Sequence, residues 1–260
     1  MAWLTSISVA SPNGSDRPSD RTLTSGNGSR ALLVMGEALA SLVTLTLQHG
    51  HYETRVATDR RAVETIMREW RPHLAMLDVD RYDGLMGVLG RGIEQGQMPI
   101  LAFTRKRDTA VKLSAFERGA DDIIEVPFTL DEIVARPYAL MRRAHNIEVA
   151  FVPRIRLHAL EVDLVAQRVR VEGKELSLTP LQQSLLYLLA ANSGRLLSRE
   201  EVRSSIWGDD LQNGSNVVDR HIRELRKKLG DDWRSPKFIE TVPGKGYRFK
   251  GPAKAPTATS

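Results

Sequence analysis

NVVDRHIRELRKKLG, residues 216–230, has the apolar spacing of an amphipathic helix. Its apolar residues recur at intervals of four and three positions and so share one face: Val218, Ile222, Leu225 and Leu229. The opposite face and its flanks are polar or charged and carry Asn216, Arg220, His221, Arg223, Glu224, Arg226, Lys227 and Lys228. Arginine can bridge the two acceptors of a guanine edge, and glutamate can accept from the amino group of cytosine. The helix therefore suits a DNA major groove, although periodicity alone suits a solvated surface helix equally well.

Two capped helices precede this segment, and a basic hairpin follows it. Thr179 to Gln182 and Ser198 to Glu201 both have the hydroxyl-first pattern of a helix N-terminus. FIETV (238–242) and YRF (247–249) flank a turn that carries Lys245. Upstream, alternating apolar residues from Ile155 to Val171 predict a small antiparallel sheet. The second half of the chain is thus predicted to be an α+β domain.

The first half has a different hydrophobicity pattern, in which short apolar runs alternate with segments of helical periodicity. The five runs are ALLVM (31–35), YETRVA (52–57), HLAMLD (73–78), PILAFT (99–104) and DIIEV (122–126). Five strands with helices between them predict a doubly wound, flavodoxin-like α/β domain with a parallel sheet. Such sheets bind ligands at the carboxyl ends of their strands, and Asp78 lies at such an end.

Composition limits the functions that the chain can have. It has 260 residues, 42% of them hydrophobic, and Glu37 interrupts the longest apolar stretch at 31–47, so we expect no membrane span. The first residues lack the basic region of a secretory signal, and the absence of cysteine suits a reducing cytoplasm. The net charge is +5, and residues 152–260 hold the excess, with 19 Lys and Arg against 13 Asp and Glu. A basic domain is attracted to polyanions such as DNA.

The patterns divide the chain into five parts. Residues 1–29 and 252–260 are poor in apolar periodicity and are predicted to be disordered tails. Residues 30–145 are the predicted α/β domain, 146–154 a linker, and 155–251 the predicted α+β domain.

The motifs of the second half, taken in order, resemble the winged-helix effector domain of OmpR/PhoB-type response regulators. LSLTPLQQSLLYLLAANSGRLLSREEV, IWG, VVDRHIRELRKKLG and FIETVPGKGYRF carry the resemblance, which spans about 155–250. The first half resembles the receiver domain of this family over about 30–143. Asp78 stands at the phosphoacceptor position, Thr104 at the hydroxyl position, and FERGADDI precedes Pro127 and Phe128. The resemblance implies a bacterial transcription regulator that binds promoter DNA as a dimer, usually on directly repeated half-sites.

The resemblance also implies roles for individual residues. Arg220 and Glu224 would face bases, whereas His221, Arg223 and Arg226 would mainly hold phosphates. Lys245 becomes the expected wing contact, since Pro243 stands where the family commonly has arginine. Asp209 and Asp210, in the loop from Trp207 to Gly214, would contact RNA polymerase holoenzyme. The homodimer would form through charged residues, namely Lys112, Glu117, Asp121, Asp122 and Arg136, although Pro137 is expected to kink their helix.

The receiver half departs from the family pattern at its chemical site. Aspartyl phosphorylation needs Mg²⁺ held by neighbouring acids and a lysine that balances the phosphoryl charge. At most one acid, Glu37, follows the first strand, and Val126 stands where the family has lysine. We therefore expect a vestigial site without metal, in which Asp78 is a solvated carboxylate. Asp80 and Asp83 remain weaker candidates for holding a cation.

Three interpretations follow from these observations. The favoured one is a DNA-binding regulator whose atypical receiver dimerises, or senses a small ligand, without phosphorylation. The second is a conventional regulator that a sensor kinase phosphorylates. The third is a flavodoxin-like ligand-binding domain or enzyme, but VMGEA after the first strand has a single glycine and no phosphate-cradling pattern. Because no His, Ser and Asp set converges at the strand ends, we expect no enzymatic activity.

Overall fold

The computed structural model describes residues 28–90, 98–145, 154–157, 160–163, 166, 168–208 and 216–250. The predicted tails, apart from residues 28 and 29 at one end, and nearly all of the predicted linker therefore lie outside the described residues. Asp209 and Asp210 lie outside them too.

The first domain is a five-stranded parallel sheet in the order β2-β1-β3-β4-β5, which confirms the predicted fold class. Its strands are β1 (Ser29–Val34), β2 (Tyr52–Val56), β3 (Leu74–Asp78), β4 (Ile100–Thr104) and β5 (Asp122–Glu125). Each observed strand overlaps its predicted apolar run. The first begins at Ser29, within the segment predicted as a tail, because Ser29 and Arg30 already pair with Tyr52 and Glu53 of β2.

Helices cover both faces of this sheet. They are α1 (Glu37–Gln48), α2 (Arg60–Trp70), α3 (Val79–Tyr82), α4 (Met86–Gly90), α5 (Thr109–Glu117) and α6 (Leu130–His145). Alternate strand residues point to opposite sides, so Leu33 and Met76 pack with α1 and α6, whereas Leu32 and Ala75 pack with α2, α4 and α5. Helix α6 continues through Pro137, whose ring is buried.

The second domain is a winged helix. Its first sheet is antiparallel, in the order β6 (Arg154–Leu157), β7 (Leu160–Asp163), β8 (Arg168–Val171) and β9 (Lys174–Leu176). There follow α7 (Pro180–Ala191), β10 (Leu196–Ser198), α8 (Arg199–Ile206), α9 (Val217–Leu229), β11 (Ile239–Val242) and β12 (Gly246–Phe249). The last three strands form a sheet in the order β10-β12-β11. Thr179 and Ser198 form complete capping boxes, which confirms both predicted helix starts.

Gly246 allows β12 to lie against β10. It has φ 148°, and a Cβ atom there would lie 2.0 Å from the carbonyl oxygen of Leu197. Only glycine permits this approach. The hairpin β11–β12 is thus anchored beside α8 and α9. No described helix is long and apolar enough to cross a bilayer.

Candidate functional site

Helix α9 presents the polar face that its sequence predicts. Val218, Ile222 and Leu225 are at most 1% exposed and pack into the core of the winged helix. On the solvent side, the exposed side chains include Arg220, Arg223, Glu224, Lys227 and Lys228. Asn216 is exposed at the N-cap, and Gly230 ends the helix in a left-handed conformation with φ 65°. The exposed face therefore carries the side chains that reading a major groove requires.

Arg226 does not lie on this exposed face. Its side chain is 12% exposed, and Nη2 donates to the carbonyl oxygen of Ile239 at 2.6 Å and to Oγ1 of Thr241 at 2.8 Å. The guanidinium also lies over the Tyr247 ring. Arg226 therefore ties α9 to β11, and the prediction that it mainly holds phosphate is corrected. A long side chain at the edge of a helix face can reach a neighbouring strand, which helical periodicity does not reveal.

His221 is only partly available. Its ring stacks on the indole of Trp207 with centroids 5.4 Å apart, and Nδ1 lies 3.5 Å from Oε2 of Glu224. Since 14% of the side chain is exposed, a phosphate could reach only the outer edge of the ring. The stacking joins α9 to the C-terminal end of α8.

Asp219 is a structural partner that sequence reasoning missed. Its Oδ1 accepts from Nε of Arg199 at 2.9 Å and from the hydroxyl of Tyr247 at 2.5 Å. Burial, and secondly the bond to Asp219, raise the pKa of Tyr247 to about 12. One carboxylate therefore fixes α9 against both α8 and the wing. An acid in the first turn of an otherwise basic helix was the available signal.

The wing turn exposes Pro243 and Lys245. The backbone nitrogen of Lys245 donates to the carbonyl oxygen of Val242 at 3.0 Å, which closes the turn. Gly244 has φ 70°, a conformation that glycine adopts without strain. Lys245 thus extends from a hydrogen-bonded turn of the hairpin beside α9.

The acid site at the carboxyl end of β3 differs from the prediction. Asp78 is 1% exposed and not solvated, and its Oδ1 accepts from Nη1 of Arg105 at 2.6 Å. The Arg105 side chain is itself 4% exposed, and the same Nη1 lies 3.4 Å from Oδ2 of Asp80. Burial raises the pKa of Asp78, while the adjacent guanidinium acts in the opposite direction. Asp78 is therefore a buried acid that an internal cation neutralises.

The neighbouring polar groups complete a closed network. Thr104 donates its hydroxyl to Oδ1 of Asp80 at 2.8 Å, and the backbone nitrogen of Arg105 donates to Oδ2 at 2.7 Å. Asp83 lies apart, paired with Arg118. Among the described residues, no group of three potential ligands is arranged for a metal ion. The acids do not fit Mg²⁺, because the Arg105 guanidinium already occupies the place of a cation between them.

Comparisons with known proteins agree with the architecture. A family described as "Transcriptional regulatory protein, C terminal" matches residues 173–249. The response regulator ArlR of Staphylococcus haemolyticus is 34% identical over 211 residues, covering 80% of this chain and 93% of the relative. The DNA-binding response regulator MtrA of Mycolicibacterium smegmatis is 31% identical over 217 residues, covering 83% of this chain and 93% of MtrA. The chain belongs to the OmpR/PhoB family of response regulators. It is a DNA-binding response regulator, and its family match over 173–249 includes α9.

Among solved structures, DrrB of Thermotoga maritima, described as an OmpR/PhoB homolog, is similar to this response regulator. It is 24% identical with a TM-score of 0.39, and the match covers 86% of this chain and 99% of DrrB.

Two residues assigned to the vestigial site serve elsewhere in this response regulator. Glu37 opens α1 with its side chain 74% exposed, and its Oε2 accepts from Nη2 of Arg195 in the winged-helix domain at 2.9 Å. Val126 is 4% exposed and packs in the apolar core, so it supplies no charge. Sequence reasoning missed Arg105, although a basic residue directly after Thr104, at the end of a buried strand, was the visible signal.

The residues predicted for the dimer interface lie on or beside α5, β5 and α6. Arg136 pairs within the chain with Asp122 at 2.9 Å and with Glu132 at 3.3 Å. Lys112 pairs with Glu125, Glu117 ends α5 exposed, and Asp121 accepts from the backbone nitrogen of Ile100. On α5, Leu113 is 57% and Phe116 45% exposed. This surface, here called the α5 face, combines exposed apolar groups with paired charges.

Proposed function

We propose that this response regulator binds promoter DNA as a homodimer and does so without phosphorylation of Asp78. The carrying observation is the buried pair of Asp78 and Arg105. A phosphoacceptor must be reached by the phosphodonor and must share a divalent cation with neighbouring acids. Here the carboxylate is covered, its charge is balanced by a guanidinium, and Val126 offers no ammonium for the phosphoryl group. The receiver would then serve for dimerisation.

The test uses Asp78→Asn, which keeps an acceptor oxygen for Arg105. The wild-type chain, incubated with a small phosphodonor and Mg²⁺, should form no acyl phosphate. Asp78→Asn should dimerise and bind promoter DNA with wild-type affinity when no phosphodonor is present. Stoichiometric acyl phosphate on Asp78, or dimerisation only after phosphorylation, would instead indicate the conventional regulator.

For DNA, we assign base contacts to Arg220 and Glu224 and phosphate contacts to Arg223, Lys227 and Lys245. Asn216 and the outer edge of His221 flank this surface. Arg220→Ala should cost roughly 1–3 kcal/mol and relax the preference at one base position, as for a lost bidentate contact. Arg223→Ala, the matched control one turn along the same face, should weaken all sequences alike and flatten the salt dependence. Selection of bound fragments from a random DNA pool separates the two, and equal loss of specificity from both would reject the assignment.

For the dimer, we assign the α5 face as the contact between two copies. Leu113 and Phe116 offer apolar area that a partner could bury, and Lys112, Glu117, Asp121, Asp122 and Arg136 would surround it. Arg136→Glu should shift the protein toward monomer and weaken binding to paired half-sites more than to a single half-site. Arg143→Glu makes the same charge change at an exposed position of the same helix and should leave the sedimentation coefficient unchanged. Equal shifts from both variants would indicate a general charge effect.

We further assign Asp209 and Asp210 to a contact with RNA polymerase holoenzyme. Acids in the segment that precedes the basic helix in sequence would repel DNA, and a protein partner gives them a function. Replacing both with alanine should leave DNA affinity intact and lower transcription with purified polymerase. Unchanged transcription would count against the contact.

A further inference from the structure

The carboxyl edge of the receiver sheet, where regulators of this fold place their chemical site, is covered by the chain's own winged-helix domain. The first turn of α1 makes the first contact. Asn192, at the end of α7, donates from Nδ2 to the carbonyl oxygen of Ala38 at 3.0 Å, and Asn192 is 4% exposed. Arg195 adds its ion pair with Glu37 nearby.

The loop between β5 and α6 makes the second contact. Ser184 of α7 accepts from the backbone nitrogen of Phe128 at 3.0 Å and donates to the carbonyl oxygen of Phe128 at 2.6 Å. Both residues are completely buried. One hydroxyl therefore satisfies both backbone groups of a receiver residue two positions after Val126, and removing that hydroxyl while the domains stay docked would leave both backbone groups unpaired.

The loop between β4 and α5 makes the third contact through Arg105. While Nη1 holds Asp78, Nε donates to the carbonyl oxygen of Ser205 at 3.1 Å. Ser205 lies in the last turn of α8, where carbonyl groups lack helical partners and a cation is favourable. Gly208 packs directly on the Arg105 side chain. The same guanidinium thus joins the receiver acids to α8, the helix that precedes α9.

Apolar packing shows that these polar contacts belong to an extensive interface. Helix α1 has no charged residue after Glu37, and α7 is buried at every position from Ser184 to Ala190. Helices without a charged face bury most of their surface against other elements. Residues of α1, α6 and α7 accordingly form one continuous core that crosses the domain boundary.

We propose that the carboxyl edge of the receiver sheet is a permanent docking surface for the chain's own DNA-binding domain, with Arg105 as the positioning residue that couples the acid pair to α8. The inference rests on the proposed function in one respect, since it explains why a phosphodonor does not reach Asp78. Beyond that function, the two domains move as one body and hold α9 in a fixed orientation relative to the α5 face.

The absence of cysteine permits a direct test on the full chain. In the variant Glu37→Cys with Arg195→Cys, the thiols replace an ion pair that joins the domains, and a short bis-maleimide reagent should crosslink them within one chain. The control variant is Glu64→Cys with Arg195→Cys, because Glu64 lies on α2, on the opposite face of the sheet from α1. Docking should make the first pair react roughly tenfold faster or more, since it holds the thiols at high effective concentration. Equal rates for the two pairs would reject the docking surface.

The role of Arg105 is tested by adding substitutions to the Glu37→Cys with Arg195→Cys variant. Arg105→Met with Asp78→Asn removes both charges of the closest ion pair together, while Asp80 keeps the bonds from the Thr104 hydroxyl and from the backbone nitrogen of residue 105. The double variant should lower the crosslinking rate about tenfold. Arg107→Met, in an exposed position of the same loop, should leave the rate unchanged. Ser184→Ala, which keeps the acid pair intact, should also lower the rate.

Circular dichroism verifies that each variant is folded. An unchanged rate in the Arg105 and Asp78 variant would reject the coupling by Arg105, and an unchanged rate in Ser184→Ala as well would reject the docking surface. None of these reactions contains DNA or a phosphodonor. Acyl phosphate formation therefore tests the proposed function separately from the interface.

Discussion

Arg105→Met should destabilise the protein, and the loss should depend on pH. The substitution keeps most of the side-chain volume but leaves Asp78, which is 1% exposed, without its counter-ion. Removing one partner of a buried pair costs about 3–5 kcal/mol. Asp78 can limit this cost by taking up a proton. From its ordinary pKa of 3.8, that protonation costs about 4 kcal/mol at pH 7 and about 1.6 kcal/mol at pH 5.

The sign of the pH dependence follows from the direction of the pKa shift of Asp78. Burial raises the pKa of Asp78 in the folded protein, and removing the guanidinium raises it further, so the folded variant binds a proton that the unfolded chain releases. The free energy of unfolding should therefore fall as the pH rises from 5 to 7, by up to about 3 kcal/mol relative to wild type. Urea denaturation followed by tryptophan fluorescence measures it. Adding Asp78→Asn should recover most of the loss, and a loss below about 1 kcal/mol that does not vary with pH would refute the buried pair.

Three further predictions concern other parts of the chain. Arg226→Ala should lower the free energy of unfolding by about 2 kcal/mol, since two hydrogen bonds to β11 are lost; Arg223→Ala, on the exposed face, should change it by less than about 0.5 kcal/mol in the same urea titration. Gly246→Ala should cost about 3 kcal/mol or more in a thermal melt, because its Cβ atom would clash with the backbone of Leu197, whereas Gly244→Ala, with open space around it, should cost less. Burial, and secondly the charge of Arg30, lower the pKa of His73 to about 4. The contribution of the neutral His73 to the free energy of unfolding is therefore complete above pH 6.5, the ordinary pKa of histidine, and is lost as the pH falls from 6.5 to 4. His73→Gln should flatten that part of the stability profile by at most about 3 kcal/mol, and an unchanged profile would contradict the shift.

Much of the backbone was predictable because its signals are local. The apolar runs that became β1 to β5 are short and bounded by polar residues, and capping residues such as Thr179 and Ser198 start helices through bonds to amides three positions away. The apolar stripe of α9 likewise depends only on helical periodicity. Local chemistry thus predicted both folds and the polar face of α9.

The acid site was predicted less well. The sequence indicated that at most one of the family's two acids, Glu37, follows the first strand and that Val126 replaces the lysine, but it placed Asp78 in solvent. The partner of a long side chain with several rotatable bonds depends on which residues the folded chain brings close to it. Arg105 bonds Asp78, which lies 27 positions earlier in the sequence. The same reason explains why Arg226 bonds β11 instead of extending from the exposed face of α9.

What the sequence by itself determined is the order of elements, the two domain types and the division of α9 into an apolar and a polar face. Only the tertiary structure decided that the receiver edge is covered, since Arg105 meets Ser205 across 100 residues of chain and Asn192 meets Ala38 across 154. The sequence shows that α1 carries no charged residue after Glu37, but it does not show which part of the chain packs against this helix. That pairing depends on shape complementarity between two domains, which arises only after each has folded.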